Sequence, residues 1–312
     1  MQPKSTADRP KRIYVRAGEL LQMTIDLHIH STFSDGSMSP TELVYYAKRK
    51  GLSAIAITDH DTIDGIGEAI SAGAQIGMEI VPGLELSVKY DKYSVHLLGY
   101  LFRHSDEALL LTLGRIQNGR MERNRIILAN LEKFGMAILL EELEKISVHG
   151  QSGRPHIAQL MVQKGFVRNM DEAFERYLGK GGLAYAERAV LQADEAIKLI
   201  CNAGGLAVLA HPQQLEKSGN DVGHVIGKLR AMGLGGIEVY YPTHSRQFKK
   251  KLLATAKNLD LLTTGGSDYH GSIRPGTTLA GGRNCSVPMN LLTEMKHRLD
   301  NTHSPSRPGS FA

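Results

Sequence analysis

Seven segments scattered between residues 28 and 270 of this 312-residue chain each end a short apolar run with a side chain that can bind a metal ion. These side chains belong to His28, His30, Asp35, Asp59, His60, Glu85, His96, His211, Asp268 and His270. Imidazoles and carboxylates are ligands that Zn, Mn and Fe accept, and the His-x-His and Asp-x-His pairs place two donors on one short extended segment. The pattern indicates a polynuclear hydrolytic metal site.

A structural role for single histidines is the competing interpretation, because thirteen histidines in 312 residues is an ordinary number. We assign that role to His104, His149, His224, His297 and His303. The candidate ligands differ because they recur at one strand end after another. In an α/β barrel the strand ends converge on one face, so ligands far apart in the sequence meet in space.

Strand-like and helix-like segments alternate along most of the chain. Strand-like runs cover 24–27, 54–58, 79–82, 95–101, 206–210, 236–240 and 261–264, and helix-like segments include 40–50, 64–76, 193–203, 222–232 and 246–258. Short buried strands that alternate with helices predict βα units and a parallel sheet. Ser39, Pro40 and Glu42 have the composition of a helix start.

Residues from about 104 to about 188 break this alternation. They contain no convincing strand, but apolar residues recur at helical spacing in 106–134, 139–145, 156–164 and 170–178. We predict an all-helical insertion domain (104–188) over the mouth of a barrel formed by 23–103 and 189–301. The segments 1–22 and 302–312 are polar and contain proline, and we expect both tails to be disordered.

The net charge of +5 and the isoelectric point near 9.1 raise the question of a nucleic-acid groove. Residues 1–22 carry a net +3 and the C-terminal tail adds +1, so the body between them carries +1. A nearly neutral body attracts a long polyanion weakly. We therefore expect no binding of duplex DNA.

The chain has no stretch that approaches ~20 uninterrupted apolar residues, and the N-terminus lacks the apolar region of a secretory signal. The two cysteines, Cys201 and Cys285, are widely separated in apolar surroundings, which suits buried free thiols better than a disulfide. We expect a soluble cytoplasmic protein with no membrane partner. The oligomeric state stays open.

The ordered motifs D-L-H-I-H-S, S-D-G, T-D-H-D-T, P-G-x-E, a later His, A-H-P and G-S-D-Y-H resemble those of the PHP family, named for its polymerase and histidinol phosphatase members. The resemblance spans about 24–299, and all motifs in order are highly specific although each alone is weak. The insertion with G-R-P-H-I-A and the segment Y-Y-P-T-H-S resemble the branch of 3′,5′-nucleoside bisphosphate phosphatases and 5′-to-3′ exoribonucleases. The family resemblance implies a distorted (β/α)7 barrel with the all-helical insertion.

The resemblance also implies three divalent metal ions, Mn, Fe or Zn. His28, His30, Glu85 and Asp268 match the ligands of a first ion, Glu85, His96 and His211 match those of a second with Glu85 as the bridge, and Asp35, His60 and His270 match those of a third. Many relatives have a histidine where Asp35 stands. The carboxylate makes the third site harder and more acidic in this chain.

The expected chemistry is hydrolysis of a phosphate ester by a metal-activated hydroxide. Two ions bridged by a carboxylate lower the pKa of a shared water, and a third neutralises charge on the phosphate and the leaving oxygen. Attack would be in line on phosphorus. We predict catalytic roles for Glu85 and His211, and for Asp59 as a residue that orients a ligand imidazole or accepts a proton. We interpret Asp61 as a helix cap.

Phosphate also needs cationic or hydrogen-bonding partners in the protein. We predict Arg154 and His244 as substrate-binding residues, because a guanidinium matches phosphate oxygens bidentately and a loop histidine can donate to them. Arg120, Arg123 and Arg125 either reach a second phosphate or form the solvated face of a long helix. Tyr240 and Tyr241 either stack on a base or pack in the core. We expect His156 to pack within the insertion.

Two classes of function compete. The first is a metal-dependent phosphoesterase that acts on a small nucleotide with two phosphates or on the 5′-end of a short single-stranded RNA. The second is a non-catalytic PHP domain, which the complete ligand set disfavours. Among enzymes, a histidinol-phosphate-type phosphatase is the alternative.

Overall fold

A computed structural model of the protein describes residues 24–147, 152–188, 190–217, 221–281 and 285–303. Within these ranges nine strands form one sheet in the order β8-β7-β6-β4-β3-β2-β1-β9, and β5 pairs with β3 outside this path. The strands are β1 (Thr24–Ile29), β2 (Ala54–Ile57), β3 (Glu79–Tyr90), β4 (Tyr93–Tyr100), β5 (Leu191–Gln192), β6 (Leu206–Leu209), β7 (Gly236–Tyr240), β8 (Leu262–Gly265) and β9 (Val287–Pro288).

Helices cover the outside of the sheet and fill the segment between β4 and β5. They are α1 (Pro40–Arg49), α2 (Ile66–Ile76), α3 (Glu107–Glu132), α4 (Leu140–Ile146), α5 (Arg154–Gln163), α6 (Met170–Ala173) with a π-helical turn at Phe174–Leu178, α7 (Ala193–Asn202), α8 (Gln213–Lys217), α9 (Val222–Ala231), α10 (Arg246–Asn258) and α11 (Asn290–His303). Helix α1 begins as its sequence predicts, with a capping box of Ser39 and Glu42 around Pro40.

The sheet curls into a nearly closed barrel because its two edges meet. The backbone N–H of Asp268 donates to the carbonyl of His28 (2.8 Å), and that of His30 donates to the carbonyl of Tyr269 (2.9 Å). These bonds join β1 to the chain that follows β8, so seven strands, β1 to β4 and β6 to β8, surround one core. The predicted α/β barrel of seven strands is confirmed.

One expectation about the sheet is wrong, because not all of its strands are parallel. Strand β4 is antiparallel to both β3 and β6. Strand β3 continues through the alternating sequence G-L-E-L-S-V-K-Y and turns at Asp91, whose φ is 52°, directly into β4. A two-residue connection joins antiparallel strands only, since a parallel pair needs a long crossover. This hairpin is the distortion of the barrel.

The segment between β4 and β5, which we call the roof, contains helices and no strand among its described residues. Its long helix α3 has two halves with different partners. Leu109, Leu113 and Ile116 pack in an apolar core that they share with β3, β4 and α7. Ile127 and Leu131 pack with α5 in a separate apolar core of the roof. One continuous helix therefore fixes the roof on the barrel. The domain limits at 104 and 188 remain a prediction.

Several expectations concern the ends of the chain and its thiols. The segment 1–22, His149 and residues 304–312 lie outside the described residues, whereas residues 302 and 303 belong to α11 rather than to a tail. Cys201 and Cys285 are free thiols. Cys285 is buried as expected, but Cys201 is exposed because it lies near the end of α7 on the solvent side. No helix of the described part is long and apolar enough to cross a membrane.

Candidate metal centre

The metal centre is assembled at the mouth of the barrel from the ends of its strands. His28 and His30 lie at the end of β1, His60 follows β2, and His211 follows β6. Strand β3 adds the carboxylate of its mid-strand residue Glu85, and the facing strand β4 adds His96. Asp35, Asp268 and His270 come from the loops after β1 and β8. Because strand ends converge at one face of a barrel, donors separated by more than two hundred residues become neighbours.

The carboxylate of Glu85 lies at the middle of the centre. Its Oε1 is 2.8 Å from His96 Nδ1 and 3.0 Å from His211 Nε2. Its Oε2 faces three more imidazoles, with Nε2 of His28 at 3.3 Å, Nε2 of His30 at 3.1 Å and Nδ1 of His60 at 3.2 Å. Glu85 is itself almost completely buried. Glu85 thus lies where the family resemblance implies a bridging carboxylate, and the bridging role itself stays a prediction.

Three groups of donor atoms are compact enough to hold metal ions. They are His28, His30, Glu85 and Asp268; His30, Asp35, His60 and His270; and His60, Glu85 and His96. The first group matches the predicted first site, and the second is the predicted third site with His30 added. The third group differs from the predicted second site because it places His60, rather than His211, with Glu85 and His96. His211 lies outside this group, but its Nε2 is 3.0 Å from Oε1 of Glu85, the oxygen that also faces His96.

The donor atoms fit divalent cations because they have no other partner. Within the described residues, Nε2 of His28, Nε2 of His30, Nδ1 of His60 and Oε2 of Glu85 are buried without a hydrogen bond, as is Oδ1 of Asp35. Buried polar atoms are rarely left unsatisfied, so this convergence calls for bound ions. The Asp35 carboxylate beside His60 and His270 forms a harder donor set than imidazoles alone. Bound divalent ions supply Lewis acidity and an activated water.

The electrostatics of the centre favour positive charge in its middle. Burial lowers the pKa of His30, but the neighbouring carboxylates of Asp268 and Glu85 outweigh burial and raise it to about 10. Burial also raises the pKa of Glu85, yet the surrounding imidazoles, with His60 and His96 first, hold it well below its ordinary value. By contrast, burial lowers the pKa of His60 to about 3. Carboxylates that retain their charge at full burial favour cations between them.

A buried glutamate that the sequence analysis missed orients two of the candidate ligands. Glu238, on β7, accepts a hydrogen bond from Nδ1 of His28 (2.9 Å), which leaves Nε2 of that ring for an ion. Its other oxygen accepts the backbone N–H of His211 (2.7 Å). A carboxylate behind a ligand histidine fixes the ring and its tautomer. The signal was a lone Glu inside the apolar strand G-I-E-V-Y.

Asp268 is held by two further residues. The hydroxyl of Tyr241 donates to its Oδ2 (2.7 Å), and Nη1 of Arg274 donates to the same oxygen (2.6 Å). Its other oxygen, Oδ1, is 3.2 Å from Nε2 of His30. Tyr241 is thus buried, which agrees with the core-packing interpretation, and it also holds Asp268 in place. Asp268 and His211 also have positive φ, 52° and 27°, a strained conformation that functional sites often hold.

Asp59 lies behind the ligands rather than among them. Its Oδ1 accepts from the backbone N–H of Ser31 (2.7 Å) and the hydroxyl of Ser34 (2.5 Å), and its Oδ2 accepts from the Ser31 hydroxyl (2.5 Å). The Ser34 hydroxyl is 3.4 Å from Nδ1 of His30. Asp59 therefore reaches the centre through a serine and an imidazole. Its catalytic role remains a prediction.

Asp61 is not the helix cap that the sequence indicated. Helix α2 begins after Gly65 without a side-chain cap. The carboxylate of Asp61 is completely buried and accepts hydrogen bonds from Arg120 (Nε at 2.8 Å), Arg188 (Nη2 at 2.9 Å) and the backbone N–H of Ser87 (3.0 Å). The buried carboxylate interacts more strongly with two arginines of the roof than it would with the N-terminus of a helix.

A cleft of about 380 Å³, which we call the basic cleft, runs from the ligands under the roof. It is lined at one end by Asp35, His60 and His96 and farther out by cationic side chains. The cations are Lys89, Lys92, Arg120, Arg123, Arg154, Lys180 and Arg188. Arg125 does not belong to it, because its side chain is exposed and pairs with Glu122. Sequence reasoning missed Arg188, which stands at the end of the roof without a motif around it.

The two predicted phosphate-binding residues have different surroundings. Arg154 lines the basic cleft, and its Nη1 donates to the carbonyl of Leu178 (3.1 Å). His244 is buried, with Nδ1 2.9 Å from the carbonyl of Val239 and its ring against Tyr241 and Phe248. His156 is buried in the roof and accepts the backbone N–H of Gly153, as a packing residue would.

The fold and this donor set define a metal-dependent hydrolase, and comparisons with known proteins identify its family. The chain matches the PHP domain over residues 26–208. It is 36% identical over 245 residues to a 5′-3′ exoribonuclease of Haemophilus influenzae, covering 78% of this chain and 89% of that protein. It is 34% identical over 247 residues to a 3′,5′-nucleoside bisphosphate phosphatase of Chromobacterium violaceum, covering 79% and 87%.

A solved structure supports the same family assignment. A protein of Bifidobacterium adolescentis, provisionally called a metal-dependent phosphoesterase, superposes with a TM-score of 0.78 at 29% identity and covers 88% of this chain and 96% of its own. The chain belongs to the PHP family of phosphoesterases.

Removing the bridging carboxylate should cost more metal than removing a ligand at the edge of the centre. Glu85 contacts five imidazoles, whereas His60 faces Glu85 and Asp35. We expect Glu85→Ala to lose more bound metal than His60→Ala, as measured by elemental analysis of the purified proteins. Retention of the full wild-type complement by both variants would show that the ligand assignment is wrong.

Glu238 should tune metal affinity without binding an ion. Glu238→Gln keeps the shape of the side chain but weakens its hold on His28 and on the backbone of His211, so we expect metal affinity to fall about 10–100-fold. Competition with a chelator measures this loss. The matched control is Glu144→Gln on the exposed face of α4, which should titrate like wild type. Equal affinities for Glu238→Gln and wild type would contradict the orienting role.

Proposed function

We propose that this phosphoesterase hydrolyses nucleotides, converting a 3′,5′-nucleoside bisphosphate to the 5′-monophosphate and trimming short 5′-phosphorylated oligoribonucleotides from the 5′-end. The observation that carries this proposal is the basic cleft, which begins at the metal ligands Asp35, His60 and His96 and continues under the roof. A substrate with one phosphate needs only the metal centre to bind that phosphate. A strongly cationic extension of the same cavity fits a second phosphate.

A second cleft of about 730 Å³ leaves the centre in another direction and has a different character. Its lining includes Met170, Phe174, Ile273 and Pro275 as well as the ligands Glu85, His211 and Asp268. Apolar side chains with few cations suit a nucleoside or the following nucleotides of a short chain. The metal centre lies between the clefts, so one phosphate ester can be cleaved there while the 5′-phosphate occupies the basic side.

The residues of the chain have distinct roles in this proposal. Glu85 and His211 form the centre at which the ester is cleaved, and Glu238 keeps His28 in the tautomer whose Nε2 faces an ion. Asp59 acts as a positioning residue, because the Ser34 hydroxyl donates to it and lies within reach of Nδ1 of His30. That chain of contacts directs Nε2 of His30 towards the centre.

The proposed cofactors are three divalent ions, Mn, Fe or Zn, one for each predicted ligand set. The roof restricts access to small or single-stranded substrates, since loops and insertions at this face of a barrel set specificity. Duplex DNA is not among the proposed partners. The free thiols Cys201 and Cys285 favour a cytoplasmic location.

A panel of phosphate esters tests the proposed function. We expect kcat/KM for a 3′,5′-bisphosphate and for a short 5′-phosphorylated oligoribonucleotide to exceed that for a nucleoside monophosphate, histidinol phosphate, an aryl phosphate or duplex nucleic acid. Release of inorganic phosphate from the bisphosphate should leave the 5′-monophosphate, which chromatography identifies. Comparable kcat/KM for histidinol phosphate or the aryl phosphate would overturn the proposal, because the roof would then select nothing.

Alanine variants test Arg154 and His244 as phosphate-binding residues. A hydrogen bond to a charged group contributes about 1.5–3 kcal/mol, so each variant should lose about tenfold or more in kcat/KM on the bisphosphate while keeping its metals and Tm. The position of Arg154 in the basic cleft supports its role directly. A lower Tm with unchanged kcat/KM would instead assign a structural role. For His244 this outcome is a real alternative, because its ring is buried.

A further inference from the structure

Arg274 lines the second cleft and lies directly beside a candidate metal ligand. Its Nη1 donates to Oδ2 of Asp268 (2.6 Å), the oxygen that also accepts from the Tyr241 hydroxyl (2.7 Å). The other oxygen of Asp268, Oδ1, faces Nε2 of His28 at 3.5 Å and Nε2 of His30 at 3.2 Å. The carboxylate therefore separates the guanidinium from the predicted first ion, so that Arg274 is close to the centre but outside it.

The loop that carries Arg274 is fixed on both sides of this residue. Before it, the backbone N–H of Ser272 donates to the hydroxyl oxygen of Ser37 (2.9 Å). After it, the backbone N–H of Ala280 donates to Oδ2 of the buried Asp26 (2.8 Å). Both partners belong to β1 or to the loop that follows it, so the Arg274 loop is attached to the strand that supplies the first ligands. A group held in place before binding loses little entropy when a ligand arrives.

The charge of Arg274 stands out in the second cleft. Among the described residues that line this cleft, it is the only arginine or lysine. A guanidinium has five N–H donors, and the hydrogen bond to Asp268 uses one of them. The side chain is 50% exposed, so its other donors face solvent or the cleft. Asp171 of the roof also lines the cleft, so an anion is favoured beside Arg274 and disfavoured beside the roof.

The path of an oligonucleotide through the site indicates which anion this is. In the proposed function the 5′-phosphate occupies the basic cleft and the scissile ester lies at the metal centre, so the rest of the chain leaves through the second cleft. The first charge that the chain places there is the phosphodiester one nucleotide beyond the scissile ester. A single guanidinium matches the single negative charge of that phosphodiester, and the apolar lining suits the nucleoside next to it.

We propose that Arg274 is a specificity-determining residue that binds the phosphodiester on the 3′ side of the scissile ester. This inference rests on the proposed function and deepens it, because it separates the two substrates of that function. A 3′,5′-bisphosphate ends at the metal centre and has no group for Arg274 to bind. An RNA chain of three or more nucleotides has the next phosphodiester, and Arg274 would favour its binding.

Kinetics on two matched trinucleotides test the contact in the metal-loaded full-length protein. Both are 5′-phosphorylated adenosine trinucleotides with the same first linkage and a 2′-O-methyl group on the second nucleoside, but one has a neutral methylphosphonate as its second linkage. We expect the kcat/KM of wild type to be about 5–10-fold lower for the neutral compound, a moderate effect because water screens a half-exposed side chain. Arg274→Gln should hydrolyse the two compounds within about twofold of each other, because the charge of the linkage has lost its partner.

Two control variants separate this contact from the hold on Asp268. Tyr241→Phe removes the other hydrogen bond to the same carboxylate oxygen without changing the charge of the cleft. It should lower kcat/KM for both trinucleotides and for adenosine 3′,5′-bisphosphate by a common factor. Arg298→Gln removes an arginine that pairs with Asp260, before β8 and so at the end of the barrel away from the centre. It should behave like wild type on all three compounds.

Metal content and Tm establish that each variant is intact. If Arg274→Gln loses metal, Arg274→Lys replaces it, because lysine keeps the charge beside Asp268 but lacks the planar fork. That variant should discriminate less between the two trinucleotides at full metal content. A common loss on both trinucleotides and the bisphosphate in Arg274→Gln would overturn the proposal, since Arg274 would then only hold Asp268. Equal kcat/KM of wild type for the two trinucleotides would overturn it as well.

Binding separates this inference from the proposed function. Calorimetry needs no turnover when the bridging oxygens of the first linkage are replaced by carbon in both trinucleotides. We expect wild type to bind the fully charged analogue about 5–10-fold more tightly than the neutral one, and Arg274→Gln to lose this difference. If wild type hydrolyses neither the bisphosphate nor the trinucleotides but shows this dependence on Arg274, the contact stands and the proposed function fails. If wild type hydrolyses them and binds both analogues equally, the function stands and the contact fails.

Discussion

The structure depends on one buried carboxylate surrounded by imidazoles. Glu85 lies in the middle of β3, where hydrogen bonds on both sides of the strand hold its backbone, and it faces five histidines from β1, β2, β4 and β6. An ionised carboxylate at this depth is costly unless cations compensate it. Two other features stabilise this arrangement. The closure of the barrel through β1 and β8 and the buried Glu238 behind His28 each hold donor atoms close to the Glu85 carboxylate.

A second buried carboxylate connects the roof to this centre. Asp61 directly follows the candidate ligand His60, yet its partners are Arg120 on α3 and Arg188 at the far end of the roof. Breaking a buried ion pair leaves an uncompensated charge, so the roof cannot easily move away from the barrel mouth without losing these bonds. The shape of the basic cleft is therefore coupled to a residue adjacent to a metal ligand. The candidate metal centre and the roof therefore form one connected unit.

The two clefts make the surroundings of the metal centre asymmetric. Cations concentrate on one side, under α3 and α5, while apolar side chains such as Met170 and Ile273 line the other. A nucleotide with phosphates at both ends would have one favoured orientation in such a site, because its charge and its base face different surroundings. In the proposed function, the same arrangement would take either a bisphosphate or the first nucleotide of a short chain. The names of the two relatives, a phosphatase and an exoribonuclease, are compatible with one geometry.

The sequence by itself determined the donor set and the architecture. Ligand pairs such as His28 and His30 stand at the ends of apolar runs, and strand–helix alternation with one helical interruption indicates a barrel with a roof, because these are local patterns. Tertiary structure decided the rest. Glu238 and Arg188 carry no motif, and their importance arises from contacts with residues far away in the sequence. Asp61 has the local signature of a helix cap, but buried arginines attract its carboxylate more strongly than a helix terminus does. The direction of β4 likewise followed from a two-residue turn and its partners in the sheet, which no apolar run encodes.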